Sequence, residues 1–224
     1  MPLTKSKGNM YEWVTHTHTH LGGECPNHCT YCFVESPRWG RALRYTGDLR
    51  LIEPEFSVRY GEGKTIFVEH CNDIGSEGVC YAWRQRIYEH CNLWPKNTYV
   101  FQSKNPLVFF AGGYPHGSIL GTTIETNREI PTVSKAPAPA SRYLAMKRIE
   151  GRKFVTIEPI LDFDVDVLVE WIVDLNPEFL NIGADSKGHG LIEPPKEKVI
   201  ALIEKLGAAG VKINEKHNLA RLLK

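Results

Sequence analysis

The 224-residue sequence predicts an α/β chain, a partial (β/α) TIM-like barrel of about six or seven parallel strands, on three observations. Short apolar runs rich in Val, Ile, Phe, Tyr and Thr alternate with stretches of helical period, as parallel strands joined by helical crossovers require. A Gly-x-Gly-x-x-Gly fingerprint is missing after the first run, where a doubly wound nucleotide-binding sheet carries it, and a cysteine-rich loop stands there instead. Polar residues collect directly after the runs, at the end of a barrel where chemistry sits. A doubly wound open sheet fits the same order of elements; the cysteine loop and the polar strand ends favour the barrel.

The first run, YEWVTHTH over residues 11–18, leads into GGECPNHCTYCF over 22–33. KTIFVEH (64–70) is the second and is followed by Glu69, His70, Asn72 and Asp73. NTYVFQS (97–103) ends on Gln102, Ser103 and Lys104, and SILGTTIE (118–125) on Thr123, Glu125 and Asn127. KFVTIEP (153–159) carries Glu158, EFLNIG (178–183) precedes Asp185, and VKIN (211–214) closes with Asn214 to Lys216. Leu168, Trp171, Ile172 and Leu175 recur at i, i+3, i+4, i+7, as do Val199, Leu202, Ile203 and Leu206. Both sets predict amphipathic helices, the second closing at Gly207. REIPTVSKAPAPASR (128–142) lacks apolar period, and its prolines make it either a stiff cover for the barrel mouth or a plain surface connection. EKHNLARLLK at the carboxyl end reads as a short closing helix with its basic residues at the surface.

A chain of this size builds one sizeable core, so residues 1–224 are expected to form one domain. Hydrophobic content of 42% with 24% charged residues is ordinary for a soluble protein, and no stretch is apolar enough to span a bilayer. MPLTKSKGNMYEW has no apolar leader, so the expected compartment is the reducing cytosol. There six cysteines are expected to be thiols, core residues or metal ligands and not disulfides. A net charge of +1 supplies no global field for nucleic acid and leaves a local basic groove open.

Cys25, Cys29 and Cys32 fall within eight positions, spaced Cys-x3-Cys-x2-Cys. A structural zinc takes four ligands, usually as two Cys pairs. Here no second pair is evident, and His28, next to Cys29 in sequence, is poorly placed to join it. A nucleophilic cysteine leaves the other two thiols without a role. A four-iron cubane held by three thiolates leaves one iron for a ligand that is not protein. That open iron can chelate the amino and carboxylate groups of S-adenosylmethionine, the arrangement of the radical S-adenosylmethionine superfamily, whose signature has this spacing with an aromatic residue, here Tyr31, before the last cysteine.

The chain also resembles, over nearly its whole length, a largely phage-borne family of small radical S-adenosylmethionine proteins with a three-cysteine motif. The resemblance is carried by MYEWVTHTHTHLGGECPNHCTYCF, GKTIFVEHCNDIG, NTYVFQSKNP, GTTIETNR, KFVTIEPILDFD, NIGADSKGHG and EKHNLARLLK, in that order. It implies a partial barrel, a [4Fe-4S] cluster held by Cys25, Cys29 and Cys32, and S-adenosylmethionine cleaved to a 5′-deoxyadenosyl radical that takes hydrogen from a substrate. It also implies a flavodoxin or ferredoxin type electron donor, and places Tyr31 beside the adenine. Superfamily members commonly bind the methionyl amine with Gly-Gly-Glu after the second strand; this chain has EHCNDIG there, which makes Asn72 and Asp73 the candidates. By position, Lys104 is expected at the methionyl carboxylate and Glu125 at the ribose hydroxyls.

Other features carry weaker readings. His16, His18 and His20 alternate and so share one face of a strand, where core hydrogen bonding at inward barrel positions is expected ahead of metal ligation. Cys80 and Cys91 lie about 16 Å apart along a helix, too far to share a cluster, and with Cys71 are expected as buried free thiols. RWGRALRYTGDLR (38–50) sets Arg38, Arg41, Arg44 and Arg50 among Trp39 and Tyr45, a mix that suits a nucleotide or nucleic-acid substrate as well as a solvated connection. The alternative to the enzyme is a zinc-stabilised nucleic-acid-binding module without redox chemistry.

Overall fold

Seven parallel strands and one short antiparallel partner form a single open sheet in the computed structural model, which describes residues 3–8, 10–34 and 43–224. In chain order the strands and helices are β1 (Thr4–Lys5), β2 (His16–His18), β3 (Leu21–Gly22), β4 (Arg50–Leu51), β5 (Thr65–Val68), α1 (Tyr81–Asn92), β6 (Thr98–Gln102), β7 (Ile119–Thr123), α2 (Pro139–Lys147), β8 (Lys153–Ile157), α3 (Val165–Leu175), β9 (Phe179–Ile182), α4 (Lys196–Ala208) and β10 (Ile213–Glu215). The sheet order is β1-β2-β5-β6-β7-β8-β9-β10, with β1 antiparallel to β2 and every other neighbour parallel. β1 and β10 are its edges, so the barrel is not closed. No helix among the described residues is long and apolar enough to cross a membrane.

Side-chain parity divides the core into two layers. Ile66, Val68, Tyr99, Phe101, Val155, Ile157, Leu180 and Ile182 face outward and pack under the helices, against Ile87, Leu168, Ile172, Val199 and Leu202. The alternate residues Phe67, Val100, Ile119, Phe154 and Phe179 face the concave side and close its floor with Val14, Tyr11 and Trp13. Here the first run departs from expectation. Only His16–His18 pairs as strand; Tyr11 and Trp13 stack at 5.4 Å in a turn that fills the barrel bottom, with the Tyr11 hydroxyl 2.8 Å from Gln102 and 2.7 Å from Thr156. Their alternation came from plugging the barrel and not from lying in its wall.

The histidines also depart from expectation. Thr17 pairs with Phe67 and faces the interior, so His16 and His18, in register with Ile66 and Val68, face outward toward the helix layer. His18 and His20 do lie together, rings 4.5 Å apart, while His16 is half-buried beside Thr15. Helix α3 forms where its period placed it and ends on Asn176 in the left-handed conformation. α4 runs through Gly207 to Ala208, and Gly210, at φ +79°, makes the turn. The carboxyl-terminal segment is a 3-10 helix, His217–Leu222, anchored by buried Leu219. Cys71 and Cys91 are buried as expected; Cys80 is exposed, because it precedes α1 and does not lie within it.

A Cβ on Gly121 would stand well inside contact distance of the Phe154 ring on the neighbouring strand. Gly121→Ala is therefore expected to displace Phe154 from the barrel floor and lower stability by about 1–3 kcal/mol. Urea unfolding tests this, and an unchanged midpoint would show that the floor can yield.

Candidate active site at the barrel mouth

The cysteine loop leaves the sheet through β3, which pairs antiparallel with β4 and so clamps the loop's base. Gly23, at φ +88°, sits so close to the Asp48 carbonyl that a side chain has no room, which accounts for the paired glycines ahead of the thiols. His28 takes a left-handed turn at φ +38° between Cys25 and Cys29, and its exposed ring stands 3.7 Å from Glu24. Cys29 is buried, Cys25 and Cys32 half-buried. Burial, and then the nearby Asp73 carboxylate, raise the Cys25 thiol to about 12.

Two carboxylates on the loop after β5 hold this loop in place. Glu69 Oε1 accepts the His20 backbone N–H at 2.8 Å, and Oε2 accepts that of Leu21 at 3.1 Å. Asp73 accepts the Asn27 amide (2.9 Å), the Ser103 hydroxyl (2.5 Å) and the backbone N–H groups of Gly75 and Lys104 (both 2.8 Å). Four donors fill the acceptor capacity of a carboxylate. Asn72 is different: its amide N–H donates to the Gly23 carbonyl at 3.1 Å, while its buried Oδ1 has no hydrogen-bond partner among the described residues.

The Pro-rich segment docks on the cysteine loop. Thr30 N–H donates to Val133 O (2.9 Å), Lys135 N–H to Asn27 O (2.8 Å), and the Ser134 hydroxyl lies 3.1 Å from Cys29 Sγ. The connection is thus part of the mouth.

Below the thiols is a buried charge cluster. Lys104 Nζ donates to the Tyr31 hydroxyl and to Glu125 Oε1, both at 2.6 Å, and the Tyr31 hydroxyl also bonds that carboxylate. Arg142 Nη1 donates to Glu125 Oε2 at 2.6 Å and to Thr123 O at 3.1 Å. Its Nη2 is buried without a hydrogen-bond partner among the described residues. Burial alone would raise the Glu125 pKa, but Lys104 and Arg142 on either side outweigh it and take the carboxyl down to about 2. Burial, and then the Glu125 charge, push the Tyr31 phenol well above its usual value.

The fold therefore brings Tyr31, Lys104 and Glu125 into direct contact, and sets Asn72 and Asp73 beside the cysteine loop. Sequence reasoning missed Arg142 and Ser134. Arg142 had a sequence signal: with Ala145, Met146 and Ile149 it lies on the buried stripe of α2 and the turn after it, where an arginine needs a carboxylate. Ser134 had none. The arginine stretch does not behave as a phosphate grip in its described part. Arg44 donates to Glu55 (2.8 Å) and Thr19 O (2.7 Å), and Arg50 folds back on the carbonyls of Thr46, Asp48 and Arg44. Arg38, Trp39 and Arg41 lie outside the described residues. Beyond β9, a cleft of about 580 Å³ opens between Asp185, Glu193, His217, Asn218 and Arg221.

The donor set fits the cluster that the sequence implies. Three free thiols stand on one loop, Cys29 buried and Cys25 and Cys32 half-buried, a donor set that could supply one thiolate to each of three irons. The free Asn72 oxygen beside the loop is an acceptor for an ammonium group.

No protein-family model matches the chain, and no curated protein matches it. Among solved structures the fold is similar to that of a mutant spore photoproduct lyase with bound AdoMet and dinucleoside spore photoproduct. The TM-score is 0.56 at 13% identity, over 89% of this chain and 63% of that one. The architecture is accordingly an α/β partial barrel with the fold of that structure. The chain spans less than two thirds of the length of that structure.

Because folded Glu125 binds its proton more weakly than the unfolded side chain, the unfolded state takes up protons first as pH falls below 4.5. The stability this carboxylate contributes, on the order of 3 kcal/mol, is expected to be complete above that pH and lost by about pH 2. The stability difference between the unaltered chain and Glu125→Gln, followed by urea unfolding, should shrink across that window. A constant difference would contradict the ionised pairing.

Proposed function

We propose that this chain is a radical S-adenosylmethionine enzyme in which Cys25, Cys29 and Cys32 hold a [4Fe-4S] cluster with one iron open to S-adenosylmethionine. The observation that supports it is a loop of three thiols, clamped at its base by β3 and β4 and held over Tyr31, Lys104 and Glu125 at the carboxyl ends of parallel strands. When bound, the cluster and S-adenosylmethionine supply reductive cleavage of the sulfonium to methionine and a 5′-deoxyadenosyl radical that abstracts hydrogen from a substrate.

The residues of the chain bind, orient and shield. Asn72 Oδ1, buried and free of partners among the described residues, accepts from the methionyl ammonium. Asp73, with four donors already on its carboxylate, braces the loop, and the amine role first expected for both residues passes to Asn72 alone. Lys104 turns to the methionyl carboxylate, and Glu125, still neutralised by Arg142, accepts from the ribose hydroxyls. Tyr31 lies against the adenine. The docked Pro-rich segment keeps water from the thiols, and the Ser134 hydroxyl, 3.1 Å from Cys29 Sγ, would donate to that sulfur once it is a thiolate.

The substrate class we infer is a nucleotide or nucleic acid, supported by the dinucleoside held in the similar structure, with the cleft at Asp185 and Arg221 as its approach. The half-buried Cys25 and Cys32 side of the loop faces a low-potential donor of flavodoxin or ferredoxin type.

Protein loaded with iron and sulfide under anaerobic conditions is expected to absorb near about 400 nm and to release 5′-deoxyadenosine when dithionite and S-adenosylmethionine are added. Cys29→Ala should lose both properties; continued cofactor cleavage by that variant would refute the ligand assignment. Asn72→Ala is expected to keep its iron and to bind S-adenosylmethionine about tenfold more weakly or worse, read by equilibrium dialysis. Unchanged affinity would remove Asn72 from the amine site.

A further inference from the structure

We propose that His18, His20 and His90 form a second metal site, for a divalent transition ion with zinc foremost, on the outer side of the sheet and separate from the cysteine loop. The three side chains are 5%, 0% and 4% exposed. One nitrogen from each lies within 4.8 Å of the other two. His18 ends β2, His20 follows it, and His90 comes from the last turn of α1, so the convergence is a product of the fold.

The hydrogen bonds sort the ring nitrogens. His90 Nε2 lies 3.0 Å from the Val58 carbonyl, which can only accept, so this nitrogen carries hydrogen and Nδ1 is a lone pair. His90 Nδ1 faces His20 Nε2 at 2.8 Å. On the other side of its ring, His20 Nδ1 stands 2.6 Å from Glu69 Oε1 and carries hydrogen toward that carboxylate. The outer nitrogens of two rings are thus fixed by a carbonyl and a carboxylate, the supporting shell that orients metal-binding histidines. The inner nitrogens point at one another.

His18 supplies the independent observation. Its Nε2 is buried without a hydrogen-bond partner among the described residues, and stands 3.6 Å from Glu55 Oε2. Without metal, a hydrogen must lie between His20 Nε2 and His90 Nδ1, beside a His18 nitrogen that has no hydrogen-bond partner among the described residues. A divalent ion resolves both. The N–H bond between the two rings breaks, its proton leaves to solvent, and metal–nitrogen bonds form to His20 Nε2, His90 Nδ1 and His18 Nε2. Metal–nitrogen bonds of about 2.0–2.1 Å set tetrahedral nitrogens roughly 3.4 Å apart. That spacing lies between the observed 2.8 Å contact and the 4.8 Å limit of the group. Glu55 Oε2, 3.6 Å from His18 Nε2, offers a carboxylate for a fourth position, and the Tyr60 hydroxyl, 3.1 Å from His20 Nε2, borders the site. Imidazole donors select zinc, nickel, copper or ferrous iron over calcium and magnesium.

The site does not rest on the proposed enzymatic reading, and its test excludes the cysteine loop. The full chain carrying Cys25→Ser, Cys29→Ser and Cys32→Ser is stripped with chelator and given zinc chloride alone. It is expected to bind about one zinc per chain. The melting temperature should rise on the order of 5–10 °C at zinc about 100-fold above its dissociation constant. Cobalt chloride should give the visible bands of a tetrahedral nitrogen and oxygen site without a thiolate charge-transfer band. His90→Ala in the same background should weaken zinc binding by about 100-fold or more. Should that variant fail to fold, zinc-edge absorption of the triple variant decides, with nitrogen and oxygen scatterers alone as the supporting result. Less than about 0.1 zinc per chain with an unmoved melting temperature would overturn the site, as would sulfur ligation from Cys71, Cys80 or Cys91.

Discussion

Two carboxylates in the short loop after β5, Glu69 and Asp73, hold the arrangement on which the mouth depends. The cysteine loop over residues 22–33 is held to the sheet by hydrogen bonds at its start and in its middle. Glu69 takes the backbone N–H groups of His20 and Leu21 where the loop begins, and Asp73 takes Asn27 in its middle. Asp73 also takes Ser103 and the Lys104 N–H at the end of β6, so one side chain ties the cysteine loop to two strands of the barrel. Glu69 adopts φ +62°, a conformation of about 1 kcal/mol or more for a residue with a side chain, and the three donors it gathers offset that strain.

The charge cluster beneath the loop follows the opposite logic. A buried carboxylate between Lys104 and Arg142 contributes little net stability over an apolar packing of the same shape, because desolvation cancels most of the attraction. It stands on the concave face of a barrel otherwise floored by aromatic rings. Glu125 holds a lysine, an arginine and a phenol in fixed directions, the set that the proposed reading assigns to a ligand carrying a carboxylate and hydroxyls. The aromatic floor and the polar mouth are consecutive layers of one concave face: Phe154, Thr156 and Glu158 succeed one another along a single strand and its end. The outer face of the same sheet carries the histidine cluster, within reach of Glu69. One carboxylate therefore supports the cysteine loop through the backbone of His20 and orients the ring of the same residue.

Much of this was legible in the sequence. The seven apolar runs each yielded a parallel strand, since burial on both faces leaves continuous Val, Ile and Phe that few other elements tolerate. The polar residues after those runs fell at strand ends for the same reason. Tyr31, Lys104 and Glu125 met because each sits at a fixed offset from a strand or from the cysteine motif. Composition, local period and spacing carry that information directly.

What only the tertiary structure decided are the partners. Arg142 reaches Glu125 from a different element, and the Pro-rich segment could not be told from a surface connection until its two backbone bonds to the cysteine loop were formed. Asn72 and Asp73 are adjacent and chemically alike in sequence, yet four donors saturate one while the other keeps a free oxygen. The histidine ladder suggested an inward row along one strand; parity against β5 turned it outward, and His90 replaced His16. The physical reason is common to all of them. Period and propensity are properties of neighbours along the chain, whereas hydrogen-bond satisfaction and the convergence of ligands depend on groups brought together from distant positions by packing.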